Sequence, residues 1–198
     1  MDIVVCVKKI PNVSQLTPHL ETGAPQLDLV PYQLSDFDEN ALEAAVRLKE
    51  ERGSKVTLLT ASPSDPKDVL SKALAMGADG AVAVVDEAMA GLDSFGLSII
   101  LAECIRQYVP RFDLVLCGEG SVDDYSCQVG PRLAEQLTIP CITFVTELVA
   151  LEAGIRAKRV LESRAEQVSC QTPALITVGM EINKPRHVSL LRIMAASA

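Results

Sequence analysis

The sequence predicts an α/β domain: a doubly wound, mainly parallel sheet with helices on both faces. Short, nearly continuous apolar runs rich in β-branched residues recur at 3–7, 56–60, 81–85, 114–117 and 142–145, the pattern of strands buried on both faces. Segments of helical period stand between them. Strand and helix in alternation require right-handed crossovers, so the strands run parallel and the helices cover them from both sides. Of the 198 residues, 48% are apolar and 22% charged, which supplies one core and excludes a disordered or collagen-like chain.

Taken in order, residues 3–7 form the first strand. Residues 36–52 place Phe37, Ala41, Leu42, Ala45 and Leu48 on one helical face, with Ser35 and Asp38 at capping-box spacing in front and Gly53 as the stop. After the strand at 56–60, Asp65 offers a cap, Pro66 suits the first helical position and Gly77 closes the second helix. Asp93 or Ser94 opens a third helix beyond the strand at 81–85, and residues 122–136 contain a fourth. Beyond residue 145 the pattern changes: 155–161 and 167–170, with a turn around Ser163, read as an antiparallel hairpin, and 174–178 as a further strand. The body therefore spans 1–182. From 183 to 198 the chain carries Lys184, Arg186, His187 and Arg192 and no acid, a basic tail on an acidic body.

With 18 basic and 26 acidic side chains the formal charge is −8, which excludes a general nucleic-acid binder, because neutralising phosphates needs a basic surface. No run approaches the ~20 apolar residues that span a bilayer. The start, MDIVVCVKKI, carries an acid at position 2 and enters a core strand directly, so it lacks a secretory signal and a cytoplasmic location is expected. Cysteines at 6, 104, 117, 127, 141 and 170 form no C-x-x-C pair, and His19 and His187 stand apart. That leaves no zinc pattern, and reduced thiols are the reading.

In a doubly wound sheet, ligands gather at the carboxyl ends of the strands, where strand order reverses. The most informative stretch there is 114–140, in which Gly118, Glu119, Gly120 and Ser121 turn sharply out of a buried strand and a polar run leads to a helix. Glycines let backbone amides face a ligand, and a helix start favours phosphate. Ser121, Ser126 and Gln128 add donors. The same residues also fit an ordinary strand-to-helix turn in which Asp123 and Asp124 cap the helix. The P-loop lysine and the G-x-G-x-x-G pattern are both absent. Residues after the first two strands, Cys6 to Lys9 and Thr60 to Ser62, would meet this loop. Lys8 and Lys9 suit a phosphate or plain solvation, and Asp36 and Asp38 suit a sugar hydroxyl or the first helical turn, with capping the reading for Asp38. Two distant histidines do not make a nucleophilic triad, and adjacent carboxylates at 123 and 124 diverge by about 100° on a helix. No catalytic residue is expected.

Four segments in order, SDFDENALEAAVRLKEERG (35–53), ALAMGAD (73–79), CGEGSVDDYSCQVGPRLAEQLTIP (117–140) and INKPRHVSLLRIMAA (182–196), resemble the beta subunits of electron-transfer flavoproteins across nearly the whole chain. The G-x-G-S form of the central loop is closer to the branches linked to nitrogen fixation and carnitine metabolism, and AGLDS (90–94) is similar to a loop of flavin-bifurcating members. The resemblance implies an adenine nucleotide alpha hydrolase-like fold and an electron-carrier subunit without catalytic residues of its own. It also implies a heterodimer with an alpha subunit that carries the redox FAD, the beta chain holding AMP or a second FAD.

The implied nucleotide site comprises Cys6, Ser35, Asp36, Phe37, Asp38, Ala61, Gly118, Glu119, Gly120, Ser121, Val122, Asp123, Asp124, Tyr125, Ser126, Cys127, Gln128 and Val129. A docking loop for flavin dehydrogenases or oxidoreductases is implied at 183–194, with Leu190 as its apolar anchor among basic residues. The absence of tryptophan and 4% aromatics leave few rings to sandwich an isoalloxazine within this chain alone. Where the family often has Gly-Lys-Gln, this chain has Gly118-Glu119-Gly120. Asp124-Tyr125-Ser126 stands where bifurcating members often have Gly-Asp-Thr, Leu97 stands where they have a second threonine, and the family's usual C-terminal arm is expected to be missing after Ala198. The alternatives on the same fold are a free-standing ATP sensor or hydrolase, or a subunit whose nucleotide site has degenerated.

Overall fold

The computed structural model describes residues 1–197, so Ala198, the end of the basic tail expected over 183–198, lies outside the described residues. In chain order the elements are β1 (Asp2–Cys6), β2 (Lys9–Pro11), β3 (Tyr32–Leu34), α1 (Asp36–Arg52), β4 (Lys55–Ser62), α2 (Lys67–Met76), β5 (Gly80–Val85), α3 (Ser94–Tyr108), β6 (Leu114–Gly118), α4 (Val129–Leu137), β7 (Cys141–Ala150), β8 (Ile155–Leu161), β9 (Arg164–Cys170), β10 (Ala174–Val178) and α5 (Leu190–Ala196). Eight strands form one sheet in the order β5-β4-β1-β6-β10-β7-β8-β9. From β5 to β7 all neighbours are parallel, and β8 and β9 then extend the sheet antiparallel.

Strand geometry explains the two cores. Successive side chains point to opposite faces, so Ile3 and Val5 of β1 pack with α1 and α2, whereas Val4 and Cys6 pack with α3 and α4. Every residue of β10 is buried. That is the doubly wound arrangement expected from the alternating pattern. Helix α1 matches its expected bounds and ends on Gly53 at φ 69°, a left-handed stop that a β-carbon would oppose. Asp93 caps α3 by accepting from the Gly96 amide at 2.8 Å.

Some local expectations fail for identifiable reasons. Strand β5 alternates between half-buried and exposed residues instead of being buried on both faces, because it is the sheet's edge. Pro66 takes the cap position of α2 and not its first turn, while the Asp65 carboxylate accepts from the Lys67 amide at 2.9 Å. The fourth helix, expected within 122–136, does form there, but only from Val129, and residues 122–128 stay outside it. Strand β7 continues to Ala150 because β8 pairs with it, and β9 begins at Arg164 because it pairs along all of β8. Unforeseen is the two-stranded β2–β3 sheet, whose excursion between Pro11 and Tyr32 arches over the carboxyl ends of the main strands. No described helix is long and apolar enough to cross a membrane.

The tail is bound to α1. Asn40 Nδ2 donates to the carbonyls of Asn183 at 2.8 Å and Met180 at 3.2 Å, and Asn183 Nδ2 returns a bond to the Asn40 carbonyl at 3.0 Å. Arg186 Nε donates to Glu43 Oε2 at 2.7 Å, and its Nη1 donates to Glu50 Oε1 at 2.6 Å. Burial presses the Glu43 carboxyl upward, but Arg186 and Arg47 outweigh it and hold the group below its ordinary value. Arg186 therefore fastens the tail instead of standing free. Arg186→Met leaves Glu43 with Arg47 alone and is expected to lower stability by about 2 kcal/mol, read by urea unfolding. Faster amide exchange over the tail should accompany it.

Candidate functional site

Strand order reverses between β1 and β6, since β4 and β5 lie to one side of β1 and β10 and β7 lie beyond β6. The loops leaving β1 and β6 must diverge there and open a crevice. One carboxylate spans the divergence. Asp38, in the first turn of α1, accepts from the Lys8 amide after β1 at 2.8 Å and from the Gly118 amide at the end of β6 at 3.3 Å.

The capping role expected for Asp38 is thereby overturned. Ser35 precedes the helix without a side-chain cap bond; its amide donates to the Lys8 carbonyl, and its Oγ is buried without a partner. Asp38 is drawn from the helix end because two strand-exit amides would otherwise lack an acceptor at this depth. Burial is the main cause of its shift from 3.8 to about 7, opposed by the two amides and by Lys8. Gly118 completes the junction. A β-carbon there would stand 2.6 Å from Phe37 Cβ and 2.8 Å from Asp38 Oδ1, so the close approach of α1 to β6 requires glycine at this position.

Beyond Gly118 the chain does not enter a helix at once. The Ser121 carbonyl accepts from the amides of Asp124 and Tyr125 at 3.2 and 2.7 Å, closing a turn. Tyr125 and Cys127 then adopt left-handed backbone at φ 48° and 56°, a conformation costing roughly 1–2 kcal/mol for each such residue. Alternation of this kind turns successive N–H groups inward as an anion-binding concavity. The amides of Ser126, Cys127, Gln128 and Val129 find no acceptor among the described residues. Asp123 and Asp124 do not cap α4, whose cap position is Gln128; the Asp123 carboxylate instead takes the Lys8 ammonium, both oxygens at 2.9 Å. Glu119 is engaged too. Its Oε1 accepts from the Tyr125 hydroxyl at 2.9 Å, which pushes the phenol up to about 12, and the Tyr125 ring lies 5.6 Å from that of Phe37.

The crevice measures about 760 Å³, within the usual range for small-molecule sites. Of the residues expected at the site, it is lined by Asp38, Ala61, Gly118, Glu119, Gly120, Ser121, Val122, Asp123, Asp124, Ser126, Cys127, Gln128 and Val129. The other five lie elsewhere. Cys6 is buried in the core beside α3 and α4, and Val7 takes its place in the lining. Ser35 and Phe37 are buried beneath the junction, Asp36 faces solvent, and Tyr125 stands half exposed on the outer rim. Two walls were not found from the sequence: the arch, contributing Pro11, Val13, Leu16, Pro25, Leu27 and Tyr32, and the segment Met89 to Leu92 before α3. The arch is poor in apolar periodicity and interrupted by prolines, so no sequence signal marked it. AGLDS was noticed only by resemblance.

Residues 28–198 match the sequence profile of the electron transfer flavoprotein domain. The chain is 35% identical over 196 residues to the electron transfer flavoprotein subunit beta of Thermoanaerobacterium thermosaccharolyticum, covering 99% of this chain and 75% of that protein. It is 36% identical over 197 residues to the caffeyl-CoA reductase-Etf complex subunit CarD of Acetobacterium woodii, with 99% and 75% covered. It is also 33% identical over 203 residues to protein FixA of Azorhizobium caulinodans, with 100% and 72% covered.

A carboxyl raised by burial favours the folded state where it is protonated. Its contribution is complete below the unfolded value of 3.8 and is lost as pH rises through about 7. Urea unfolding across this interval should show wild type losing up to ~4 kcal/mol relative to Asp38→Asn, with the difference constant at higher pH. Equal slopes for the two proteins would contradict the assignment.

Proposed function

The chain belongs to the electron transfer flavoprotein family as a beta-type subunit, and from that premise we propose that its crevice holds the adenosine phosphate portion of AMP or FAD. One observation carries this reading. At the switch point of a doubly wound sheet, a glycine-bearing loop ends in the unsatisfied amides of Ser126 to Val129 at the start of α4, the arrangement that accepts phosphate. The fit is sound in size and chemistry. The adenosine side would be framed by Val7, Ala61 and the loop after Gly118, and the apolar arch would exclude water.

A bound flavin supplies the one- and two-electron chemistry. This chain supplies orientation and a fixed electrostatic surround. Asp38 keeps the two strand exits at a set separation, and the Lys8–Asp123 pair holds the β1 exit against the phosphate loop. A chain of this family acts with an alpha subunit, and we assign to that subunit the redox flavin implied by the resemblance.

Docking to flavin dehydrogenases or oxidoreductases falls to the tail. Leu190 is 71% exposed, with Leu191 and Met194 exposed beside it on α5. Because Arg186 is tied to Glu43 and Glu50, the steering charge expected of this segment comes from exposed Lys184 and Arg192.

Two measurements test the reading. Heating the purified protein and separating the released small molecules by chromatography is expected to yield AMP or FAD; ATP alone, or nothing, would contradict it. Leu190→Ala is expected to slow electron exchange with the dehydrogenase by roughly tenfold, as loss of a buried anchor implies, while nucleotide content stays the same. A drop in both would move Leu190 from docking to folding.

A further inference from the structure

Lys8 and Lys9 are the cationic side chains lining the crevice among the described residues, facing the acids Asp38, Glu119, Asp123 and Asp124. Both ammonium groups already have protein partners. Lys9 Nζ donates to Asp68 Oδ1 and to the Asp65 carbonyl, both at 2.9 Å, and lies 5.6 Å from the centre of the Tyr32 ring. Lys8 Nζ donates to both Asp123 carboxylate oxygens at 2.9 Å and to Ser121 Oγ at 3.2 Å.

The Lys8 contact is an electrostatic latch. Burial presses the Asp123 carboxyl upward, but the Ser121 hydroxyl and the Lys8 ammonium outweigh it and keep the group below its ordinary value. The Asp123 carboxylate therefore stays ionised at neutral pH, and its negative charge lies against the Lys8 ammonium. Left to meet a phosphate are uncharged amides and the α4 start, whose dipole is equivalent to about half a positive charge. That inventory suits a phosphate of low charge and leaves the remaining charge of a triphosphate beside Glu119 and Asp124.

Resting on the reading that the crevice takes an adenine nucleotide, we propose that Asp123 determines its specificity by phosphate charge, sequestering the Lys8 ammonium so that nucleotides of low phosphate charge bind and triphosphates are excluded. Substituting Asp123 by asparagine keeps the side chain's size, removes one negative charge and releases Lys8. A free ammonium at a phosphate loop is the point charge that polyphosphate sites employ.

The test is a competition assay. The full-length chain, carrying a fluorescent AMP analogue, is titrated with AMP, ADP and ATP at low and physiological ionic strength. In wild type, each added phosphate is expected to weaken competition, with ATP at least ~10-fold poorer than AMP. In Asp123→Asn the ATP-to-AMP ratio should shrink by ~10-fold, and ATP competition should become steeply salt-dependent. Adding Lys8→Gln to that variant should return the ratio toward wild type. Equal competition by AMP and ATP in wild type overturns the proposal, as does a ratio unmoved by Asp123→Asn, and either leaves the nucleotide reading intact because AMP still binds. Failure of every adenine nucleotide and of the analogue to bind overturns both.

Discussion

The bridge made by the Asp38 carboxylate between the exits of β1 and β6 is the constraint on which the site depends. Its two amide partners belong to loops that the topology drives apart. An acceptor at this depth is costly when ionised, since burial disfavours the charge, yet the alternative is two unsatisfied amides in the same place. Phe37 and Gly118 follow from it: α1 can bring Asp38 to β6 only if position 118 carries no β-carbon. Lys8 is in turn held where its ammonium meets Asp123.

Downstream of that bridge, the loop to α4 is organised by bonds that keep it out of a helix. The turn on the Ser121 carbonyl, the left-handed Tyr125 and Cys127, and the hold of Asp123 on Lys8 delay the helix to Val129. Local backbone strain persists because surrounding contacts over-determine it. The result is a row of amides without acceptors among the described residues, in the wall of a crevice where the Lys8 ammonium is paired with Asp123. Under the proposed reading, such a site would discriminate through fixed dipoles and shape, as suits a subunit that positions a cofactor and leaves the chemistry to it.

The tail shows the same division between holding and presenting. Asn40, Asn183, Glu43 and Arg186 fasten the segment to α1, which leaves α5 free to expose Leu190, Leu191 and Met194. Its basic character in the sequence suggested steering throughout, but one of those charges, Arg186, is spent on anchorage. A side chain's charge says nothing about which partner the fold places within its reach.

The sequence by itself determined the architecture: the runs around residues 3–7, 114–117 and 174–178, and the face of Phe37, Ala41, Leu42, Ala45 and Leu48, are periodic signals that any strand or helix of that burial must carry. It also marked the loop from Gly118 to Val129 as a candidate for the site, although glycine and polar residues after a buried strand fit an ordinary strand-to-helix turn equally well, and the family resemblance carried the choice. Only the tertiary structure decided what each acid there does. Asp38 and Asp123 have the spacing of helix caps, and nothing local distinguishes capping from reaching across to residues eighty or more positions away, at Gly118 or Lys8. The arch over the crevice and the removal of Cys6 into the core were hidden for the same reason. Both depend on which strand exits become neighbours, and that is set by sheet order, which no single segment encodes.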